Sequence, residues 1–175
     1  PFESDVFQLA TVAAMGVGMA PGWLEQAASP ELRMHVSRLR EYLGRVAPPH
    51  DYARVALLWA DQYLPGVIDV ENKQDVIRMI LDHQRPDGGW SIRSFAEPEQ
   101  WGSGNRAERL RAETGIDNPP SDGHQTGLAV VVLSSAGVPS THPAVQRGVA
   151  WLNANQRRSG RWWTKSLNTD NWHFI

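Results

Sequence analysis

Apolar residues come along this chain in paired runs, and the two runs of each pair are patterned differently. The first run is apolar on nearly every helical face: "SDVFQLATVAAMGVGMAPG", "HDYARVALLWADQYLPG" and "SDGHQTGLAVVVLSSAGVP". The second is amphipathic: "SPELRMHVSRLREYLGR", "ENKQDVIRMILDHQRPDGGW" and "THPAVQRGVAWLNANQRRSGRWW". In these second runs Val76, Ile77, Ile80 and Leu81 make one stripe at helical spacing. Val145, Val149 and Leu152 make another, with Trp151 beside it. Ser29-Pro30 and Thr141 ahead of Pro143 read as helix starts, and Gly44, Pro86 and Gly160 as ends. A helix that is apolar all round must be enclosed, whereas one with a polar face lies at the surface. Three such pairs predict an all-α fold of three helical hairpins, with an inner and an outer helix layer, in one domain of residues 1–175. "TDNWHFI" reads as the start of a fourth hairpin, and residues 91–120 as a long loop insertion.

Composition narrows the partners more than the fold. The chain has 175 residues, a formal net charge of −2 and no cysteine. Nothing in that balance marks nucleic acid as a partner, and neither a disulfide nor a thiolate metal site can form. No apolar run reaches the roughly 18 residues of a membrane span, so the expected state is soluble or peripheral to a membrane. No secretory leader pattern precedes the first helix, as would also hold for a chain that starts after a removed leader. The 8 tryptophans are the outlier, and rings at that density serve a core, a binding wall, or both.

Two amphipathic runs end alike. Gln84–Trp90, "QRPDGGW", and Gln156–Trp162, "QRRSGRW", share Gln, three residues, Gly, any residue, Trp. The amide of Gln84 or Gln156 can bond backbone groups orphaned where one helix gives way to the next. Gly88 and Gly160 permit the positive φ that such an end needs. Trp90 and Trp162 then cover the turn, and truncating a buried Trp costs roughly 3–5 kcal/mol. These six residues read as scaffold. The motif, found twice at matching places, resembles the QW repeat of the squalene–hopene cyclase, oxidosqualene cyclase and protein prenyltransferase superfamily. The resemblance covers most of the chain and implies a partial α/α toroid, completed by the remainder of a longer chain or by a second copy. It also implies a cavity for a long apolar, isoprenoid-type substrate.

The chemistry gathers in "SDGHQTGLAVVV", residues 121–132. In a toroid of this kind the inner helices start at one rim, which would collect Asp5, His50 with Asp51, Asp122 to Thr126, and His173. In squalene–hopene cyclases the equivalent stretch is Asp-x-Asp-Asp-Thr-Ala, whose middle Asp protonates an alkene. Here Asp122 and Thr126 match, while His124 and Gln125 replace the two following acids. An imidazolium is a weaker acid and Gln donates no proton, which argues against squalene cyclisation by that route. In prenyltransferase β subunits an Asp-x-Cys and a later His after an aromatic residue hold zinc. Asp122, His124 and, after Trp172, His173 supply an Asp/His/His set that suits zinc. Such a set, harder than one with a thiolate, favours Lewis-acid or hydrolytic roles.

The resemblance therefore implies Asp122 and His124 as catalytic candidates, Asp122, His124 and His173 as zinc ligands, and His50 as a further participant. The same residues also read as caps and cavity polarity, with Ser121 or Asp122 satisfying free helix amides. His35, His83 and His142 fall on outer helices or turns and are expected at the surface. Within the insertion, Phe95 or Trp101 could reach over the cavity as a lid; the alternative is a solvated loop with a short helix at 105–113. The rival to an enzyme is a non-catalytic toroid that binds a hydrophobic ligand or a protein, and peripheral membrane contact stays open in both.

Overall fold

Where the sequence offers a cap, a helix starts. Ser29 accepts a hydrogen bond from the Leu32 amide at 3.2 Å, with Pro30 in the first turn, and His50 accepts one from the Ala53 amide at 3.1 Å. The computed structural model describes residues 6–20, 22–26, 29–102, 104–167 and 172–174, the last stretch as backbone alone. Its helices are α1 (Val6–Gly18), α2 (Trp23–Gln26), α3 (Pro30–Arg45), α4 (Asp51–Asp61), α5 (Val70–Asp82), α6 (Ala107–Arg111), α7 (Gly123–Ser135) and α8 (Pro143–Asn155). Short 3-10 turns lie at Ile92–Phe95 and Pro98–Gln100. This is the all-α fold class that the paired runs predict, that of an α/α-toroid fragment.

The chain divides into two compact units, Pro1–Val76 and Ile77–Ile175. In the first, α1 packs on α4 and α3 around Phe7, Leu43, Ala53, Leu57 and Leu64. The buried Asp61 carboxylate turns the chain out of α4, accepting the amides of Gly66 and Val67 at 2.9 and 3.1 Å and lying 2.5 Å from the Lys73 ammonium. Enclosure of α1 is less complete than its sequence suggests. Val6, Leu9 and Val12, one helical face, are 66%, 63% and 52% exposed.

In the second unit α7 packs on α8. The buried side of α8 is Ala144, Val145 and Gly148, so Val145 of the expected stripe is buried while Val149 is 41% exposed. The reason is close approach: a Cβ on Gly148 would lie 2.7 Å from the Trp90 ring and 2.8 Å from Val130. The cap of α8 is His142, one residue past the expected Thr141; its ring accepts the Ala144 amide at 3.2 Å. The insertion is buried at its start, while much of 102–118 stays exposed. Phe95 and Trp101 are 1% and 5% exposed, and the Phe95 ring sits 4.6 Å from that of the half-buried His83. The short helix is present, trimmed to α6. Where a fourth hairpin was expected to open, Trp172–Phe174 is extended instead. It forms β2, antiparallel to β1 (Trp163–Lys165), with Thr164 opposite His173; pairing satisfies its backbone without a helix. Among the described residues no helix is long and apolar enough to cross a membrane.

Candidate functional site

The two QW motifs build the frame on which the site rests, by the same bonds twice. Gln84 Nε2 donates to the Gly88 carbonyl at 2.8 Å, and Gln156 Nε2 to that of Gly160 at 2.9 Å. Gly88 and Gly160 take φ of 90° and 81°, in the region where side chains strain the backbone. The indole of Trp90 donates to the Ile80 carbonyl at 2.7 Å, and that of Trp162 to Leu152 at 2.7 Å. The first motif is also clasped by α8. Gln84 donates to the Ala144 carbonyl at 2.8 Å and accepts from Arg147, while Gly148 lies against Trp90. Trp90 is in consequence fully buried.

From Trp90 the frame reaches the mouth of α7. Thr126 Oγ1 accepts the Trp90 amide at 2.9 Å and donates to the Trp90 carbonyl at 3.2 Å, and the Asp122 amide donates to that carbonyl at 2.9 Å. Asp122 is the cap of α7. Its Oδ1 accepts the Gln125 amide at 2.9 Å and the Thr164 hydroxyl at 3.2 Å; its Oδ2 accepts the Ile92 amide at 2.7 Å. Thr164 also accepts the His124 amide at 3.0 Å, so one hydroxyl of β1 ties both candidate residues. Gly123, between them, is required by close approach: a Cβ there would meet the Trp162 side chain at 2.2 Å.

Burial sets the electrostatics of this pair. It pushes the Asp122 carboxyl above its ordinary value, against the pull of its two amide donors, the nearby His124 and the Thr164 hydroxyl. It pushes the half-buried His124 imidazole below its ordinary value, against the pull of Asp122, so the ring is held neutral. A neutral imidazole has a lone pair to give and no proton to spare. The position that the resemblance aligns with an acid of the cyclase motif is thus held here by an imidazole kept neutral. Gln125 beside it is fully buried, with neither amide atom partnered among the described residues.

Asp122 and His124 are brought together. The backbone of His173 faces Thr164 across the ribbon, while its side chain lies outside the described residues. Asp5 lies outside them too. His50 is spent as the cap of α4, in the other unit. Among the described residues no three His, Asp or Glu side chains assemble into a metal site. His35 is at the surface as expected, whereas His142, like His83, is half-buried. Ser121 does not cap α7; its hydroxyl donates to Asp87 at 2.7 Å, and the Trp151 indole donates to the same carboxylate at 3.0 Å. A cavity of about 310 Å³ opens there, lined by Ser121, Trp151, Asn155 and Trp163.

Sequence reasoning passed over Thr164, Asp87 and the bonds made by Thr126, which it matched only to the cyclase motif. Asp87 carried a signal, as a turn acid inside "RPDGG". The two threonines carried none, because their partners are 36 to 42 residues away.

Among known families, the squalene–hopene cyclase C-terminal domain matches residues 67–173 of the chain. No curated protein and no solved structure matches it.

Proposed function

The chain belongs to the squalene–hopene cyclase C-terminal domain family, and from that membership we propose that it supplies part of the reaction centre of a terpenoid-cyclase-like enzyme. The substrate is a long apolar molecule of isoprenoid type, and Asp122 and His124 are the residues that act on it, with a zinc ion as cofactor. One observation carries the reading. The Thr164 hydroxyl ties Asp122 to the His124 backbone, and Thr164 stands in register with His173.

The residues fit the ion in kind. Burial keeps His124 neutral, the form that ligates a metal. Asp122 Oδ2 accepts one amide and keeps a lone pair free. His124, Asp122 and His173 would hold the zinc, which when bound supplies a Lewis acid. The chain's own residues orient and shield. Thr164 fixes the start of α7 against β1, and the indoles of Trp151 and Trp163 offer an apolar wall to a substrate that must be kept from water. Proton donation to an alkene is not asked of His124, since a ring held neutral is a poor acid.

A second reading has its own support. Three donors already occupy the Asp122 carboxylate, which suits a cap in a non-catalytic toroid that binds a hydrophobic ligand or a protein. Metal analysis of the purified chain separates the two. Stoichiometric zinc, lost in both His124→Ala and His173→Ala, supports the enzyme. No metal, with stability unchanged in both variants, refutes the zinc site and favours the binder.

A further inference from the structure

Between the insertion and the mouth of α7 lies a cleft of about 90 Å³. Four segments wall it: Ser91 and Arg93 after the first QW motif, Glu113 and Pro119 in the insertion, Asp122 at the helix start, and Lys165 on β1. A single water needs about 10–15 Å³, so the cleft has room for a ligand of a few heavy atoms.

Most of the hydrogen-bonding capacity in the wall is already used. Arg93 grips Glu113 through Nε at 2.8 Å and Nη2 at 3.0 Å, and donates to the carbonyls of Lys165 and Ser166 at 2.9 and 2.8 Å. Asp122 keeps only a lone pair, which an anion cannot use. Two donors of the wall can serve an anion. The Ser91 hydroxyl is buried, in a residue 1% exposed, and has no partner among the described residues. The Lys165 ammonium lies 3.2 Å from Glu113 and has further hydrogens to give, with a side chain 26% exposed. A buried hydroxyl left without a bond is a cost that a ligand would remove.

We propose that this cleft binds a small carboxylate, recognised by the Lys165 ammonium and the Ser91 hydroxyl. Charge decides the class. Glu113 neutralises Arg93 by a two-pronged contact, which leaves Lys165 as the cation with bonds to offer. The Asp122 carboxylate also lines the cleft, so a dianion would be repelled there more strongly than a monoanion. The carboxylate is either a free small acid or the head of an apolar molecule; the Trp151–Trp163 cavity shares Ser121 with this cleft. No reaction is needed for such binding, so it stands apart from the cyclase reading.

The test is an NMR titration of the full chain with acetate, inorganic phosphate and acetamide. Acetate should give saturable shifts at the Ser91 and Lys165 amides, with phosphate and acetamide at least about ten-fold weaker. Ser91→Ala removes only an unpartnered hydroxyl, so it should keep its stability and lose acetate affinity at least about ten-fold; Lys165→Met should lose binding altogether. Geranate binding at least about ten-fold tighter than acetate, with the same dependence on Ser91, would identify the head of an apolar molecule; equal affinity would identify a free acid. The assignment fails if acetate does not saturate, if phosphate or acetamide matches it, or if Ser91→Ala binds like the native chain.

Discussion

Replacing Asp122 asks whether the carboxylate at the mouth of α7 holds the fold, and the bonds to it give the answer a size. Two buried backbone amides, Gln125 and Ile92, donate to opposite oxygens of a side chain whose residue is 6% exposed. Asp122→Ala orphans both where water cannot replace the lost partner. At about 1–3 kcal/mol per buried unpaired amide, and with about 0.5–2 kcal/mol typical for a lost cap, a loss of about 3 kcal/mol is expected. Asp122→Asn is gentler. Its oxygen can stay with Gln125 and Thr164, which leaves the NH₂ facing the Ile92 amide, donor against donor. That forfeits one bond, about 1–2 kcal/mol. Urea denaturation measures both totals, and amide exchange locates them. In the Asn variant the Ile92 amide should lose protection while Gln125 keeps it; in the Ala variant both should lose it. Equal losses in the two variants, or less than about 0.5 kcal/mol in the Ala variant, would sink the assignment of Asp122 as a cap.

Glu113 should confer a dependence on acid. Burial pushes its carboxyl up, but the bonds from Arg93 and Lys165 prevail and hold it below its ordinary 4.5. A depressed folded value means that its stabilisation is complete above about pH 4.5 and fades as pH falls through the folded value. Glu113→Gln should cost about 3 kcal/mol at neutral pH and flatten that part of the denaturation-against-pH curve; a curve of unchanged shape would refute it. Gly148→Ala should lower stability by about 1–3 kcal/mol, because the buried Trp90 ring cannot retreat from a Cβ at 2.7 Å, and this outweighs the roughly 1 kcal/mol that Ala gains as a helix former. A raised melting temperature would show that the ring does move. Thr164→Val, equal in shape, should cost about 1–3 kcal/mol by orphaning the His124 amide, read as lost exchange protection at His124; full protection would mean another acceptor serves.

Legibility in the sequence followed the range of the interaction. The QW turns could be read because every contact inside them is local: Gln to a carbonyl four residues on, Trp to one ten residues back. The hairpins could be read because helical periodicity is a local signal as well. The insertion could not. Its charged composition left a lid and a solvated loop open, yet Arg93 and Glu113 have side chains only 6% and 7% exposed, buried as a pair across 20 residues. Composition counts charges but does not show which of them meet. Val149 misled for a related reason, since the helix turns its glycine, not its valine, toward Trp90. The glycine of "DGH" was equally silent, because the Trp162 side chain it accommodates is far along the chain.

Capping and chemistry at Asp122 compete less than they first suggest. A carboxylate has about four lone-pair positions, and three are engaged here: two on Oδ1 and one on Oδ2. The bonds that hold the helix start therefore also fix the direction of the remaining pair, as hydrogen bonds to a metal ligand commonly do. A carboxylate free to rotate would have to be ordered when zinc bound; this one is ordered beforehand. His124 follows the same logic from the other side. Its backbone is fixed by Thr164 and its ring is held neutral by burial, so on the zinc reading ligation would not ask it to release a proton. On the zinc reading proposed above, this helix start keeps its cap and offers electron pairs at Asp122 and His124, where the cyclase motif offers a proton.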